Sequence, residues 1–291
     1  MNLVVASPTG LCFGVRRAIA QLERALEDHG TVYSLGSPIH NPQEVSRLTE
    51  LGLRLVGSAS DVPEGSVAFV RAHGVAKAAL EELEQRAKVV VDGTCPFVRT
   101  AQRRAESLAE EGYRVVILGD SNHPEVRGIL GHIEGESLVI SGGDDIDEDV
   151  RFERLGILSQ TTQREASLAE VVSKLVLLAG EIKVYNTICR ATIERQESIR
   201  NLATQVDGIV VIGGRNSANT RKLVEIAESL GVSTLWVEHS GEVDRGWLPG
   251  KRSIGVAAGG STPDWLINDL TEKLKRSEEH TSELQSPTSI S

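Results

Sequence analysis

The chain has 291 residues, and its 31 Lys and Arg against 41 Asp and Glu give a formal net charge of −10 at pH 7. This acidity argues against a protein that binds nucleic acid mainly through phosphate contacts, and 40% hydrophobic with 25% charged residues exclude a disordered chain. No run approaches the roughly 20 apolar residues of a membrane span, and no secretory leader is apparent. We therefore expect a cytoplasmic protein that binds neither nucleic acid nor a membrane.

Three segments of the chain share one order of predicted elements, and each contains one of the three cysteines, Cys12, Cys95 and Cys189. In each segment a short strand or loop leads to the cysteine, and apolar residues spaced three and four apart predict a helix after it. Gly30 and Gly112 are placed as left-handed caps at the ends of the first two helices. A β-strand is predicted next, at residues 31–35, 114–118 and 209–212.

The polar loops that follow these strands keep a constant distance from the cysteines. His40, His123 and Ser217 each lie 28 residues after the cysteine of their own segment. A second predicted strand then leads into a second polar loop in each segment. These second loops contain His73, Thr161 and Ser261. The repeated order and spacing indicate one supersecondary unit used three times.

Strands that alternate with helices predict parallel sheets. We predict an α/β fold of three small parallel-sheet domains in a pseudo-threefold arrangement around a central cavity, rather than the two domains that length alone suggests. The predicted domains are residues 1–85, 86–180 and 181–275. Because functional loops gather at the carboxyl ends of parallel strands, the cysteines and polar loops are expected to converge on that cavity.

Residues 276–291 are expected to lie outside this fold. Residues 276–286 read RSEEHTSELQS, which is the in-frame translation of a widely used sequencing adapter. We therefore interpret 276–291 as adapter read-through and predict that it is disordered.

Three cysteines in a reducing compartment do not form a disulfide framework, but three thiolates suit a metal centre. A structural zinc site normally has a fourth protein ligand and a close Cys-x-x-Cys spacing, which is absent here, whereas a zinc ion with three cysteines and a bound water remains open. A [4Fe–4S] cube with three cysteine ligands would leave one iron free for substrate.

The other polar residues of the loops are histidines and neutral donors with one carboxylate, Glu125. This set suits a phosphate or diphosphate better than Mg²⁺, and the chain has no P-loop or dinucleotide fingerprint. The helical Arg16, Arg17, Arg103 and Arg104 are interpreted as solvated faces.

Nine motifs occur in the order in which one known family has them. They are GLCFGVRRAI, IHNPQEV, RAHGV, DGTCPFV, NHPEVRG, SQTT, NTICRAT, RNSANTRKL and AGGSTPDWL. Over about residues 1–275 the chain thereby resembles the 4-hydroxy-3-methylbut-2-enyl diphosphate reductase (IspH/LytB) family. The resemblance implies reductive removal of the hydroxyl from this allylic diphosphate, which yields isopentenyl and dimethylallyl diphosphates in the last step of the non-mevalonate isoprenoid pathway. It also implies electrons from ferredoxin or flavodoxin.

The resemblance further implies roles for single residues. Cys12, Cys95 and Cys189 match the ligands of one [4Fe–4S] cluster with one open iron. Glu125 matches the proton donor, and Thr161 matches the proton relay beside the substrate hydroxyl. The positions that match the diphosphate-binding residues are His40, His73, His123, Ser217, Asn219 and Ser261.

One position departs from the family pattern. The family usually has two serines in the loop that here reads Asn216-Ser217-Ala218-Asn219, so Ala218 lacks a hydroxyl and weaker substrate binding is expected. Two other functions stay open at this point. A non-catalytic iron–sulfur sensor or carrier would hold the cluster without turning over a diphosphate, and a zinc hydrolase would use the three cysteines for a different metal.

Overall fold

The computed structural model describes residues 2–284, in which parallel strands alternate with helices. The strands are β1 Asn2–Val5, β2 Val32–Leu35, β3 Leu53–Val56, β4 Val67–Val70, β5 Val89–Asp92, β6 Arg114–Leu118, β7 Ser137–Ile140, β8 Phe152–Ser159, β9 Ala179–Val184, β10 Gly208–Ile212, β11 Ser233–Val237 and β12 Ser253–Ala258. The helices are α1 Phe13–His29, α2 Pro42–Glu50, α3 Lys77–Arg86, α4 Pro96–Glu110, α5 Pro124–Leu130, α6 Glu165–Leu175, α7 Arg190–Ala203, α8 Ala218–Ser229 and α9 Asp264–Leu284.

The strands form three four-stranded sheets in which every neighbouring pair is parallel. Their orders are β3-β2-β4-β5, β7-β6-β8-β9 and β1-β12-β10-β11. The apolar strand β10 is buried along its whole length, as expected for a central strand that is covered on both faces. The predicted α/β class with three parallel sheets is confirmed.

The sheets are offset by one strand from the sequence repeat. Strand β5, which precedes Cys95, pairs with β4 at the edge of the sheet that also contains β2 and β3. Strand β9, which precedes Cys189, pairs with β8 at the edge of the sheet that also contains β6 and β7. The first strand, β1, pairs with β12 near the other end of the chain. A strand that follows another strand through one crossover helix packs beside it, so α3 carries β5 back to β4. The domain boundaries after residues 85 and 180 remain predictions.

The described residues form two compact units. The terminal unit comprises the described parts of Met1–Cys12, His40–Pro42 and Glu194–Ser291, and it contains the sheet of β1, β10, β11 and β12. The central unit comprises Phe13–Ile39 and Gln43–Ile193 and contains the other two sheets. Both cores consist mainly of Val, Ile, Leu and Ala. No helix in residues 2–284 combines the length and the apolar character that crossing a membrane requires.

Helix ends follow the sequence signals closely. Gly30 and Gly112, which follow α1 and α4, have φ values of 72° and 81°, so both predicted left-handed caps are confirmed. At the other end of the chain, α9 includes residues 276–284, although this segment was expected to be disordered. The segment contains neither Gly nor Pro, so nothing in its composition stops the helix. Residues 285–291 of the predicted tail lie outside the described residues.

Candidate active site

Glu125 and Thr161 meet at the carboxyl ends of two neighbouring strands of the central unit. Strands β6 and β8 pair directly, with Leu118 opposite Ser159, and each then turns into a polar loop. The Thr161 backbone N–H donates to Glu125 Oε1 at 2.6 Å, and Thr161 Oγ1 lies 2.9 Å from Glu125 Oε2. The structure therefore joins the predicted proton donor to the predicted relay residue.

Burial sets the protonation of Glu125. Its side chain lies at the start of α5 with a relative exposure of only 2%. Desolvation disfavours the carboxylate and outweighs the two hydrogen bonds from Thr161, so the pKa of Glu125 rises to about 7. At neutral pH a substantial fraction of this carboxyl group carries a proton, which suits a general acid.

His123 and His73 lie together in the central unit. His123 is the N-cap of α5, and its Nδ1 accepts a hydrogen bond of 3.2 Å from the Glu125 backbone N–H. This contact requires an unprotonated Nδ1, so the neutral ring carries its proton on Nε2. The ring of His73 packs edge-on to that of His123, with centroids 5.4 Å apart. The two loops thus bring two predicted diphosphate-binding residues into contact.

Cys95 is held where α1 and α4 begin. It is the N-cap of α4, and its backbone N–H donates to Ala72 O at 3.0 Å. Gly14 in the first turn of α1 is so close that a Cβ at this position would overlap the Cys95 Sγ. Arg17 Nη1 donates to Thr94 O at 3.2 Å. Arg17 is therefore half-buried beside the cysteine and is not part of a solvated face, whereas Arg16, Arg103 and Arg104 are exposed as expected.

Cys189 precedes α7 and has a hydroxyl close to its sulfur. Its backbone N–H donates to Thr161 O at 3.0 Å, so the loop that bonds Glu125 also fixes this cysteine. Cys189 Sγ lies 3.0 Å from Oγ1 of the buried Thr192, one turn into the helix. A thiolate at this position would accept a hydrogen bond from that hydroxyl.

Cys12 lies in the terminal unit, in a turn that a buried arginine supports. The Cys12 backbone N–H donates to Gly260 O at 2.9 Å. Arg195 on α7 is 5% exposed, and its Nη2 donates to Gly10 O at 2.8 Å, two residues before the cysteine. A Cβ on Gly260 would lie 3.6 Å from Cys12 Sγ and 3.8 Å from Arg195 Nε, so both side chains border Gly260.

The start of α8 in the terminal unit carries two further predicted residues. Ser217 is its N-cap, and Ser217 Oγ accepts a hydrogen bond of 3.2 Å from the Thr220 backbone N–H, which leaves its own proton to donate. Both amide atoms of Asn219 are buried and have no hydrogen-bond partner within the described chain. Because an orphaned buried amide is costly, Asn219 fits a polar ligand at this helix N-terminus, where backbone N–H groups favour an anion.

His40 and Ser261 are also brought together in the terminal unit. Ser261 Oγ donates to His40 O at 3.2 Å. Gly214, at the end of β10, packs against the same carbonyl, since a Cβ there would lie 2.5 Å from His40 O. Contacts at the His40 carbonyl therefore join this loop to the two loops at the carboxyl ends of β10 and β12.

The three cysteines have the chemistry that a thiolate-ligated iron–sulfur cluster requires. None forms a disulfide, and all three are half-buried. Each lies directly before a helix, where the positive end of the helix dipole favours a thiolate. The close approach of Gly14 to Cys95 and the Thr192 hydroxyl at Cys189 are supporting contacts of the kind that orient and tune cluster ligands.

Sequence reasoning missed the residues that support these side chains. Gly14, Thr192 and Arg195 lie within or just after the cysteine motifs, but only the tertiary contacts give them a role. The clearest available signal was the position of Gly14 two residues after Cys12 in GLCFGV, since glycine inside a helical pattern often marks a close approach.

Comparison with known proteins assigns the chain to a family. The sequence model of the family described as "LytB protein" matches residues 3–275. The 4-hydroxy-3-methylbut-2-enyl diphosphate reductase of Geotalea uraniireducens is 41% identical over 95% of this chain and 98% of its own length. The enzyme of the same name from Aquifex aeolicus is 41% identical over 94% of this chain and 96% of its own length.

Two solved structures share the fold. One is described as (E)-4-hydroxy-3-methyl-but-2-enyl diphosphate reductase, the terminal enzyme of the non-mevalonate pathway; it has a TM-score of 0.70 and 41% identity, covering 95% of this chain and 100% of that one. The second, the corresponding reductase of Plasmodium falciparum, has a TM-score of 0.82 at 24% identity, covers 99% of this chain and 89% of that one, and supports the fold alone. The chain belongs to the LytB family of 4-hydroxy-3-methylbut-2-enyl diphosphate reductases.

Proposed function

We propose that the chain reduces 4-hydroxy-3-methylbut-2-enyl diphosphate to isopentenyl and dimethylallyl diphosphates. The observation that carries this proposal is the Glu125–Thr161 pair, a buried carboxyl group with a pKa of about 7 and a hydroxyl within hydrogen-bond distance. Such a pair suits the delivery of a proton to a leaving hydroxyl at neutral pH. Family membership supplies the substrate.

The reaction consumes two electrons and two protons for each substrate. The allylic C–O bond breaks and its oxygen leaves as water with one of the protons. The allyl fragment takes up both electrons and the second proton at one of two carbons, which gives the two products. Each electron comes from an external one-electron carrier.

We assign Cys12, Cys95 and Cys189 as the ligands of one [4Fe–4S] cluster with one open iron. When bound, this group would supply electrons one at a time and a Lewis-acidic iron for the substrate hydroxyl. The protein residues hold the thiolates in place. Gly14 keeps α1 against Cys95, Thr192 donates towards Cys189, and the Arg195 cation supports the Cys12 turn.

Glu125 acts as the proton donor and Thr161 as its relay. The 2.9 Å between Thr161 Oγ1 and Glu125 Oε2 lets the hydroxyl accept from the protonated carboxyl group and donate onward. The Thr161 N–H on the other carboxyl oxygen holds the acid in a fixed orientation. Proton transfer along this pair needs no movement of either backbone.

The diphosphate would be bound by neutral donors rather than by a metal ion. Ser217 keeps a proton to donate, Asn219 has an unpaired amide, and the neutral His123 ring has Nε2–H as its donor. His40, His73 and Ser261 complete the proposed set. Multiple hydrogen bonds and a helix N-terminus are suited to a multiply charged anion.

We further propose that the electrons come from ferredoxin or flavodoxin and that the reaction takes place in the cytoplasm. The three cysteines are outside disulfides, as a reducing compartment requires.

The test is anaerobic reconstitution, followed by iron and sulfide analysis and an assay with the allylic diphosphate. We expect four irons and four sulfides per chain, and water and both isoprenoid diphosphates as products. Glu125→Gln should retain the iron but lose about 10²- to 10⁴-fold in turnover, because a positioned general acid is removed. Glu81→Gln on the exposed face of α3 is the matched control.

Other outcomes distinguish the alternatives. A cluster without turnover would identify a sensor or carrier instead. Bound zinc with hydrolysis of the diphosphate would identify a hydrolase. Turnover of Glu125→Gln at the parent's rate would remove Glu125 from the proposed mechanism.

A further inference from the structure

An exposed surface surrounds the contact between Gly14 and Cys95 in the central unit. Phe13 precedes Gly14 and is 66% exposed, and Phe97 lies two residues after Cys95 and is 42% exposed. Arg16 and Pro96 on the same first turns are also exposed. We call these four residues, Phe13, Arg16, Pro96 and Phe97, the Cys95 surface. Large exposed aromatics beside a buried contact are typical of interaction sites.

The charge of this region differs from that of the whole chain. Residues 13–22 and 93–105, which contain the first turns of α1 and α4, include five arginines and no Asp or Glu, although the chain has a net charge of −10. Neither helix has an acidic residue in its first turn. Arg99 is paired with Asp92 and Arg17 donates to Thr94 O, so the exposed positive charge of this region comes from Arg16, Arg103 and Arg104.

The composition of the surface matches that of a transient protein interface. Aromatic residues and arginine are enriched in interface cores, and weak complexes between redox proteins bury small areas. Oriented positive charge also accelerates association with an acidic partner. Because the chain as a whole is acidic, an acidic partner would be repelled from most of its surface and attracted here.

We propose that the Cys95 surface is the docking site of an acidic one-electron carrier protein. The inference rests on the proposed function, in which Cys95 ligates the cluster and two electrons come from outside. A carrier seated on Phe13 and Phe97 would lie close to Cys95, because Phe97 is two residues after it and Phe13 precedes Gly14, which packs against its sulfur. In each docking event the reduced carrier is oxidised by one electron, and two events supply one turnover.

The experiment compares two electron sources with the same reconstituted enzyme. One source is a reduced acidic ferredoxin, and the other is dithionite-reduced methyl viologen, a small mediator that needs no docking surface. Arg16→Glu should lower ferredoxin-driven kcat/KM about tenfold or more at low salt, since rim charges act mainly on association rates. Phe97→Ser should lower it through weaker binding. Turnover driven by the mediator should stay near the parent's value.

A matched control tests whether charge alone is responsible. Arg151→Glu reverses an exposed charge at the amino end of β8, whereas the active-site loops lie at the carboxyl ends of the strands. This variant should leave ferredoxin-driven turnover near the parent's value. The effect of Arg16→Glu should shrink as salt rises from 0.1 M to 1 M, where the Debye length falls from about 10 Å to about 3 Å.

A binding measurement separates failure of this inference from failure of the proposed function. The dissociation constant of ferredoxin, measured by calorimetry, should rise for Arg16→Glu and Phe97→Ser but not for Arg151→Glu. Unchanged binding and unchanged ferredoxin-driven turnover would place the carrier elsewhere. Equal losses with ferredoxin and with methyl viologen would assign the surface a role in the cluster or in the chemistry. If the parent turns over with neither source, the proposed function fails and the binding constants still decide the docking site.

Discussion

The central and terminal units carry different kinds of functional side chain. In the central unit, Glu125, Thr161 and the supported sulfurs of Cys95 and Cys189 depend on burial and short polar contacts. In the terminal unit, Ser217 and its neighbours are neutral donors at a helix start and in loops. Under the proposed function, the proton donor, its relay and two of the three cluster cysteines belong to the central unit, whereas four of the six diphosphate-binding residues belong to the terminal unit.

This difference predicts separable effects of mutation. Changes beside Cys95, Glu125 or Cys189 of the central unit should alter cluster content, pH dependence or reduction potential. Changes at the start of α8 should alter the KM for the diphosphate and leave these properties as they are. Four substitutions test the division, from the largest expected effect to the smallest.

The largest effect is expected for Gly14→Ala. The new Cβ would overlap the Cys95 Sγ, and because the other atoms nearby belong to Cys95 itself, α1 or the cysteine has to move. Overpacking of this kind costs about 1–3 kcal/mol and would displace Cys95, the proposed cluster ligand. We expect a folded protein that loses most of its iron after anaerobic reconstitution. Gly142→Ala is the control, because that glycine is extended and has nothing within 4 Å of an added Cβ. Full iron content in Gly14→Ala would contradict a supporting role for this contact.

The second effect concerns stability and pH at Glu125. Its pKa is about 7 in the folded protein against a reference value of 4.5, so the folded state binds the proton more tightly. As pH rises, the carboxyl group ionises near pH 4.5 in the unfolded state but only near pH 7 in the folded state. The stability that the protonated group contributes is therefore fully present below about pH 4.5 and is lost as pH rises through 7. One pKa unit corresponds to about 1.4 kcal/mol, so the loss is about 3 kcal/mol.

Glu125→Gln removes this titration while keeping the size of the side chain. In anaerobic urea denaturation at pH 5 and pH 8, the parent should lose more stability with rising pH than the variant does. The difference should be about 2–3 kcal/mol, a little less than the full loss because the unfolded state is already largely ionised at pH 5. Parallel pH profiles for the two proteins would show that Glu125 is ionised in both states, and the proton-donor role would fail with it.

Gly14 and Glu125 show which features of the site can be predicted from the sequence and which depend on the folded structure. The cysteines, the histidine loops and the parallel strands were predicted because each depends on local pattern and regular spacing. The contact of Gly14 with Cys95 joins helices about 80 residues apart, so no local pattern reports it. The raised pKa of Glu125 depends on desolvation by surrounding elements, which a sequence does not give. The sequence of the edge strand β5 does not indicate which sheet it joins, so its pairing with β4 is known only from the structure.

A smaller effect is expected for Thr192→Val. The hydroxyl lies 3.0 Å from Cys189 Sγ and would donate to the thiolate, and hydrogen bonds to sulfur raise the reduction potential of a cluster. Its loss should lower the potential by tens of millivolts, on a scale where 59 mV is a tenfold change for one electron. Potentiometric titration would measure this shift, with Thr49→Val on the exposed face of α2 as the control. An unchanged potential with full iron would show that the hydroxyl does not interact with the cluster.

The smallest effect is expected in the terminal unit, for Ala218→Ser. Ala218 is the first residue of α8, between the Ser217 cap and the unpaired amide of Asn219. A hydroxyl there adds one donor beside the proposed diphosphate site, and a net hydrogen bond of about 1 kcal/mol corresponds to roughly fivefold tighter binding. The KM for the diphosphate should therefore fall while kcat, iron content and reduction potential stay constant. Ala166→Ser on the exposed face of α6 should change none of these. If KM is unchanged in Ala218→Ser, the diphosphate does not reach the first turn of α8; if kcat or the potential changes instead, anion binding and redox chemistry are not divided between the two units.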